Sequence, residues 1–207
     1  MPDTASPIDL PLPREHLAAL LFDLDGTLID TRAINRIALA AVFRPFGLEL
    51  ATLPRPPEGT AFIDWVAHLV DNGSLPADVD TAALWRHCER EVIERATQAP
   101  AIGPVVALAR WAGAWAPAVP TAVATGSSRV VAESLLAASG LDDLFGVLVT
   151  RDEVSRGKPA PDLFLAAAEQ LGVPPSGCVV VEDTDIGLSS ARSAGMATLD
   201  VRPFRET

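Results

Sequence analysis

Ala19-Leu-Leu-Phe-Asp-Leu-Asp-Gly-Thr-Leu-Ile-Asp30 decides how the rest of the chain is read. It opens with a short apolar run, residues 19–22, which predicts a buried parallel strand. Asp23 and Asp25 stand on alternate positions at the end of that run, so on an extended chain their side chains point to the same side. Gly26 lets the backbone turn tightly, and Thr27 can hydrogen-bond locally. In an open parallel sheet ligands gather at the carboxyl ends of the strands. Two acids therefore project from the place where such a sheet does its chemistry. They suit a nucleophile and metal ligand at Asp23 beside a general acid/base at Asp25. The same residues also suit a plain turn whose acids cap backbone amides.

Downstream, the period changes. Apolar residues recur at helical spacing over residues 31–46 (Ile34, Ile37, Ala38, Ala41, Val42), with a stop at Gly47. Further amphipathic segments cover residues 62–69 and 81–97, the last rich in charge, and a proline-rich connector runs between the first two. No strand-like alternation appears between residues 31 and 98, so this stretch is expected to be an all-helical insert, with 99–103 as the returning linker. From 104 onward, strand-like and helical segments alternate. Strands are expected at 121–125, 146–150, 178–181 and 197–201; helices are expected at 105–115, 129–139, 162–171 and 187–194. That alternation predicts an α/β fold, a doubly wound, Rossmann-like parallel sheet covered on both faces. Trp111 and Trp115, one helical turn apart, read as packing residues.

Composition narrows the function. The chain has 207 residues, 49% of them apolar, and a net charge of −11. Such an acidic balance argues against nucleic acid and anionic membrane surfaces as partners. It leaves room for a small anionic substrate, because a metal and one lysine can invert the field locally. Cys88 and Cys178 are far apart, which suits two small buried hydrophobes in a reduced, cytoplasmic protein. His16, His68 and His87 show no zinc-ligand spacing. Residues 1–16, with four prolines, are expected to form an extended leader, and no stretch reads as membrane-spanning or points to a protein partner.

Four polar sets follow strand-like segments. Asp23 and Asp25 are the first. Thr125-Gly126-Ser127 is the second: hydroxyls and a glycine leading into a helix N-terminus form a ready anion site, and the same residues cap helices without any ligand. The third is Lys158, fixed between Gly157 and Pro159; it can offset phosphate charge, or simply be a surface lysine. The fourth is Glu182-Asp183 at the end of a β-branched run. Buried acids there require a cation nearby, and Mg²⁺ with its oxygen ligands is the natural candidate.

Taken together, Asp-Leu-Asp-Gly-Thr, Thr-Gly-Ser, Gly-Lys-Pro-Ala-Pro and Val-Val-Glu-Asp-Thr-Asp-Ile-Gly-Leu resemble the haloacid dehalogenase-like hydrolase superfamily. The likeness runs from residue 19 to about residue 203 and is to the branch of β-phosphoglucomutases and small sugar-phosphate phosphatases. Residues 123–202 look most like the bacterial fructose-1-phosphate/6-phosphogluconate phosphatase subgroup. The resemblance implies an Mg²⁺-dependent phosphatase for a small phosphorylated metabolite. Asp23 attacks phosphorus, forming an aspartyl-phosphate, and Asp25 serves as acid and then base. Thr125, Gly126, Ser127 and Lys158 hold the phosphoryl group. Asp23, the Asp25 carbonyl, Glu182 and Asp183 hold the metal.

The resemblance also implies a core of residues 17–30 and 104–207 with a helical cap at 31–98, whose Gly59 and Thr60 fall in the substrate-specificity loop. Two readings compete with hydrolysis: a β-phosphoglucomutase-like phosphosugar mutase, and a non-catalytic phosphometabolite-binding protein. The mutase pattern has a histidine where this chain has Asn35, and a lysine and an arginine where it has Glu58 and Phe62. Those departures favour hydrolysis. Arg32 and Arg36, early in the insert, either face the substrate or face solvent.

Overall fold

The computed structural model describes residues 6–54, 56, 62–114 and 118–205. Five short strands, β1 (Ala19–Phe22), β2 (Thr121–Ala124), β3 (Val147–Val149), β4 (Cys178–Glu182) and β5 (Ala197–Asp200), form one sheet in the order β3-β2-β1-β4-β5. Every pairing is parallel. β1, β2 and β4 are buried along their whole length, as near-continuous apolar runs require when both faces of a sheet are covered.

The two faces can be read off β1. Leu20 and Phe22 belong to one hydrophobic cluster together with Val179 and Val181 of β4. Ala19 and Leu21 belong to a second cluster with Ala122, Ala124 and Val180. Side chains alternate across a strand, so each cluster is one face. The first is covered by α4 (Gly103–Gly113) and α5 (Arg129–Ala138), through Leu108 and Leu135. The second is covered by α6 (Asp162–Leu171) and α7 (Asp185–Ser193), through Phe164 and Ala191. This is the doubly wound arrangement expected from the alternating pattern.

Between β1 and β2 the chain forms α1 (Arg32–Phe43), α2 (Phe62–Asp71) and α3 (Thr81–Glu94), with no strand among the described residues. Phe43 of α1 packs on α2: its ring lies 5.1 Å from that of Trp65, edge-on, and 6.4 Å from that of Phe62. α3 starts at Asp80, whose carboxylate accepts from the Ala83 amide at 2.9 Å, a side-chain cap. The outgoing and returning segments of this insert are tied side by side. Asp30 donates its amide to Pro100 and Ile102 donates to Leu28, both at 2.8 Å, around an antiparallel bridge between Ile29 and Ala101.

Several local expectations need adjusting. The helix expected over 31–46 is α-helical only to Phe43; Arg44–Phe46 tightens into a 3-10 turn before Gly47. In the N-terminal stretch, Ile8 is buried and packs into the first cluster, and Arg14–His16 forms a 3-10 turn. Both cysteines are free and buried, and burial pushes each thiol up to about 11. Trp111 is buried, as expected of a packing residue, whereas Trp115 lies outside the described residues. No described helix is long and apolar enough to cross a membrane.

The sheet order places the functional crevice. The chain runs from β1 out through β2 to β3, then returns to the other side of β1 as β4. Ligand sites of open α/β sheets lie where the order reverses, outside the carboxyl ends of the strands. Here that is the junction of β1 and β4.

Candidate active site

β1 and β4 pair with Phe22 opposite Val181, and the Asp23 amide donates to the Val181 carbonyl at 3.0 Å. This register puts Asp23 and Glu182 level with each other on adjacent strand ends. Both are buried, Glu182 to 1% exposure, where unpaired carboxylates are costly. Lys158, in the loop before α6, supplies the counter-charge. Its Nζ donates to Asp23 Oδ1 at 2.5 Å and to Glu182 Oε2 at 2.7 Å, and lies 4.8 Å from the centre of the Phe164 ring. Lys158, with its side chain 12% exposed, is thus a partly buried member of the site and not a surface lysine.

Burial, and after it the nearby Glu182 and Asp25, push the Asp23 carboxyl up to about 7 against the pull of Lys158. For Lys158, burial pulls the ammonium down, but Asp23 and Glu182 together outweigh it and hold it above its ordinary value.

Glu182 has no freedom to turn. Its Oε1 accepts from the amides of Asp183 (2.8 Å) and Thr184 (3.0 Å) and from the Thr184 hydroxyl (3.0 Å), while Oε2 holds Lys158. Thr184 in turn caps α7 by accepting from the Gly187 amide at 3.1 Å. A Cβ on Gly187 would stand 1.7 Å from Glu182 Oε2, so only glycine fits there. Gly187→Ala is therefore expected to cost at least about 2 kcal/mol; a urea denaturation midpoint equal to that of the parent protein would contradict this packing.

Asp183 completes an acidic cluster. One oxygen from each of Asp23, Glu182 and Asp183 lies within 4.8 Å of the others. Asp183 Oδ1 accepts from the Thr27 hydroxyl at 2.8 Å, and Oδ2 is ion-paired with Arg205, whose Nε also donates to the Gly26 carbonyl at 2.7 Å. Thr27, expected to bond locally, instead reaches a residue far along the chain. Gly26 has a φ of 82°, and a Cβ there would meet Asp183 Oδ2 at 2.6 Å; the tight turn and the close approach both require glycine. Three buried carboxylates thus face two cations, Lys158 and Arg205. The remaining negative charge and the all-oxygen donor set fit a hard divalent cation such as Mg²⁺.

Asp25 sits apart from this cluster. Its Oδ2 accepts from Ser127 Oγ at 2.7 Å and from Thr125 Oγ1 at 3.4 Å, and its Oδ1 accepts from Thr31 Oγ1 at 2.8 Å. The Asp25 side chain is therefore not part of the acidic cluster; the ligand expected there from the resemblance is its backbone carbonyl. Thr125 and Ser127 come together at the end of β2, where the Ser127 amide donates to Thr125 Oγ1 at 3.0 Å, with exposed Gly126 between them.

Asn35 reaches the same place, donating to Thr31 Oγ1 at 3.1 Å. Of the two early arginines, Arg32 pairs with Asp30 at 2.6 Å, while Arg36 lines the cavity above the site. Gly59, Thr60 and Glu58 lie outside the described residues.

The acids, the lysine and the hydroxyl turn thus converge where the sheet order reverses. A family model for haloacid dehalogenase-like hydrolases matches residues 17–195.

The chain belongs to that family.

Within it, the fructose-1-phosphate phosphatase YqaB of Escherichia coli (strain K12) is 36% identical over 200 residues, covering 91% of this chain and 98% of that protein. The validoxylamine A 7'-phosphate phosphatase of Streptomyces hygroscopicus subsp. limoneus is also 36% identical, over 85% of this chain and 81% of its own. Among solved structures, CbbY from Rhodobacter sphaeroides in complex with phosphate superposes with a TM-score of 0.76 at 26% identity, over 88% of this chain and 84% of that one. This haloacid dehalogenase-like chain is accordingly an enzyme with named phosphatases among its relatives.

Site residues not anticipated from sequence are Arg205, Thr31 and Glu89. Glu89, on α3, accepts a short hydrogen bond from the Ser128 hydroxyl next to the Thr125–Ser127 turn. Nothing in their local sequence marks them; each acts through a contact made only by the fold.

Proposed function

We propose that the protein is a divalent-cation-dependent phosphatase acting on a small phosphorylated metabolite, most simply a sugar phosphate. The observation that carries this is the pairing of two differently served carboxylates on one strand end. Asp23 is buried against Lys158 and Glu182, whereas Asp25 is held by three hydroxyls on its open side. One is placed to be a nucleophile and the other to carry a proton.

In this reading an Asp23 oxygen attacks phosphorus in line and the ester oxygen leaves with a proton from Asp25. Asp25 then takes a proton from the water that cleaves the aspartyl-phosphate. The split lowers each barrier, and Lys158 with the Thr125–Ser127 turn neutralises and orients the phosphoryl oxygens. Asp23, Glu182 and Asp183, with the Asp25 carbonyl, would hold Mg²⁺, which would supply further charge neutralisation at the phosphoryl group. The helices of residues 31–98 would act as a cap that excludes water and selects the leaving group.

The names of the relatives support a sugar-phosphate substrate: besides the fructose-1-phosphate phosphatase, hexitol phosphatase A of Escherichia coli is 33% identical over 90% of this chain. Asn35, occupied with Thr31, offers no imidazole beside Asp25, which favours hydrolysis over phosphoryl exchange. The test is inorganic phosphate release from a panel of sugar phosphates with Mg²⁺ and with EDTA. Release that is restored by Mg²⁺ after chelation is the expected result. Release at full rate in EDTA would remove the metal from the scheme, and bisphosphate-dependent isomerisation without net release would replace hydrolysis by a mutase.

A further inference from the structure

Between the strand ends and the helices of residues 31–98 lies a cavity of about 1560 Å³. At its floor are Asp23, Asp25 and Lys158; on its walls are Glu89 and Trp85 of α3 and Ile37 of α1. Pockets for small ligands usually span about 300–1,000 Å³. A hexose phosphate has about sixteen non-hydrogen atoms, each displacing less than the roughly 30 Å³ of a water molecule. It would fill less than about a third of this space.

The walls are not uniform. Glu89 stands next to the hydroxyl turn, bonded to Ser128, and no described lysine or arginine pairs with it. A carboxylate in that place repels phosphate but accepts hydrogen bonds, which suits hydroxyl groups on the leaving group close to the ester. Further out, Trp85 is 39% exposed and Ile37 is 44% exposed, although both are large apolar residues on a concave wall. The Trp85 ring packs tilted against that of Phe62, with centres 5.3 Å apart, and part of the indole stays exposed. A partly exposed indole on the wall of a cavity with a polar floor is a stacking platform for the C–H face of a ring.

We propose that the leaving group is a disaccharide-sized polyol whose inner hydroxyls bond to Glu89 and whose outer ring stacks on Trp85. This rests on the phosphatase reading and adds to it the size of the substrate and two specificity-determining residues.

Three phosphate esters test it with the full-length protein and Mg²⁺: trehalose 6-phosphate, glucose 6-phosphate and p-nitrophenyl phosphate, with Asp23→Asn as the blank. The expected kcat/KM favours the disaccharide over the hexose by about tenfold. Trp85→Ala is expected to cut that ratio at least about fivefold through KM, and Trp85→Phe to retain most of it. Glu89→Gln is expected to lose about tenfold more on the two sugars than on p-nitrophenyl phosphate. A wild-type preference for the hexose would overturn the proposal and mean that closure of the helices fills the cavity. So would a ratio unmoved by Trp85→Ala, or hydrolysis of p-nitrophenyl phosphate alone. Absence of Asp23-dependent release from all three esters is a separate result, which removes the phosphatase reading itself.

Discussion

Asp23→Asn is expected to abolish phosphate release, by at least about ten-thousand-fold, while leaving the fold intact. The substitution keeps the shape of the side chain and removes only the nucleophilic oxygen. Its effect on stability separates chemistry from folding. Burial holds the Asp23 carboxyl up at about 7, against an ordinary aspartate value of 3.8. The native state therefore keeps a proton that the unfolded chain has released between those two values, and the native protein loses stability as pH rises through that window. A neutral amide removes this penalty. The variant's thermal midpoint in EDTA at pH 8 should equal or exceed that of the wild type. Release within tenfold of wild type would exclude Asp23 as the nucleophile, and a lower midpoint would mean that the loss came from misfolding.

Lys158→Ala is expected to damage both activity and stability. Its ammonium is the counter-charge to both Asp23 and Glu182, and its side chain is only 12% exposed. Without it, two buried carboxylates face each other, and breaking a buried pair in this way costs about 3–5 kcal/mol at neutral pH. Loss of one preorganised charge at the reacting group costs a further factor of about a hundred to a thousand in rate. The sign of the pH effect follows from the raised Asp23 value: without Lys158 the Asp23 carboxyl holds its proton more tightly still, so lowering the pH from 8 to 5 should recover part of the lost stability. Added Mg²⁺ should recover stability too, because the proposed cation site is assembled only in the folded state. Denaturant midpoints at the two pH values check this. A variant as stable as wild type at pH 8, or one that weakens as pH falls from 8 to 5, would contradict the assigned pairing.

Much of this enzyme was legible in the sequence because the polar residues of its candidate site are concentrated at strand ends. A buried strand must be apolar, so acids that interrupt an apolar run mark its carboxyl end. Asp23 and Glu182 were both found in that way, and the structure sets them level on neighbouring strands. The alternation of apolar runs with helical periods likewise gave the parallel sheet, with all five expected strands observed and their ends moved by a residue at most. Thr125 to Ser127 and Lys158 were recognisable by residue type and by flanking glycine and proline, and both sets reach the crevice.

Other features depended on contacts between residues distant in sequence. The different surroundings of the two aspartates are one: alternation placed both on one side of the chain, yet only the packed loops gave Asp25 three hydroxyl donors and Asp23 a lysine. Thr27 bonding to Asp183, Arg205 pairing with the same carboxylate and Glu89 meeting Ser128 are others. Local periodicity carries no trace of them, because a side chain's type says what it can bind but not which distant partner the fold brings within reach. Hydrophobic period and the cost of burying charge were enough to read the sheet, the helical insert and the polar residues gathered at the strand ends from the chain itself. Only chain packing separates the acidic cluster around Lys158 and Arg205 from the hydroxyl-held Asp25, and sets how large a cavity stands over them, because both depend on distances between residues far apart in sequence.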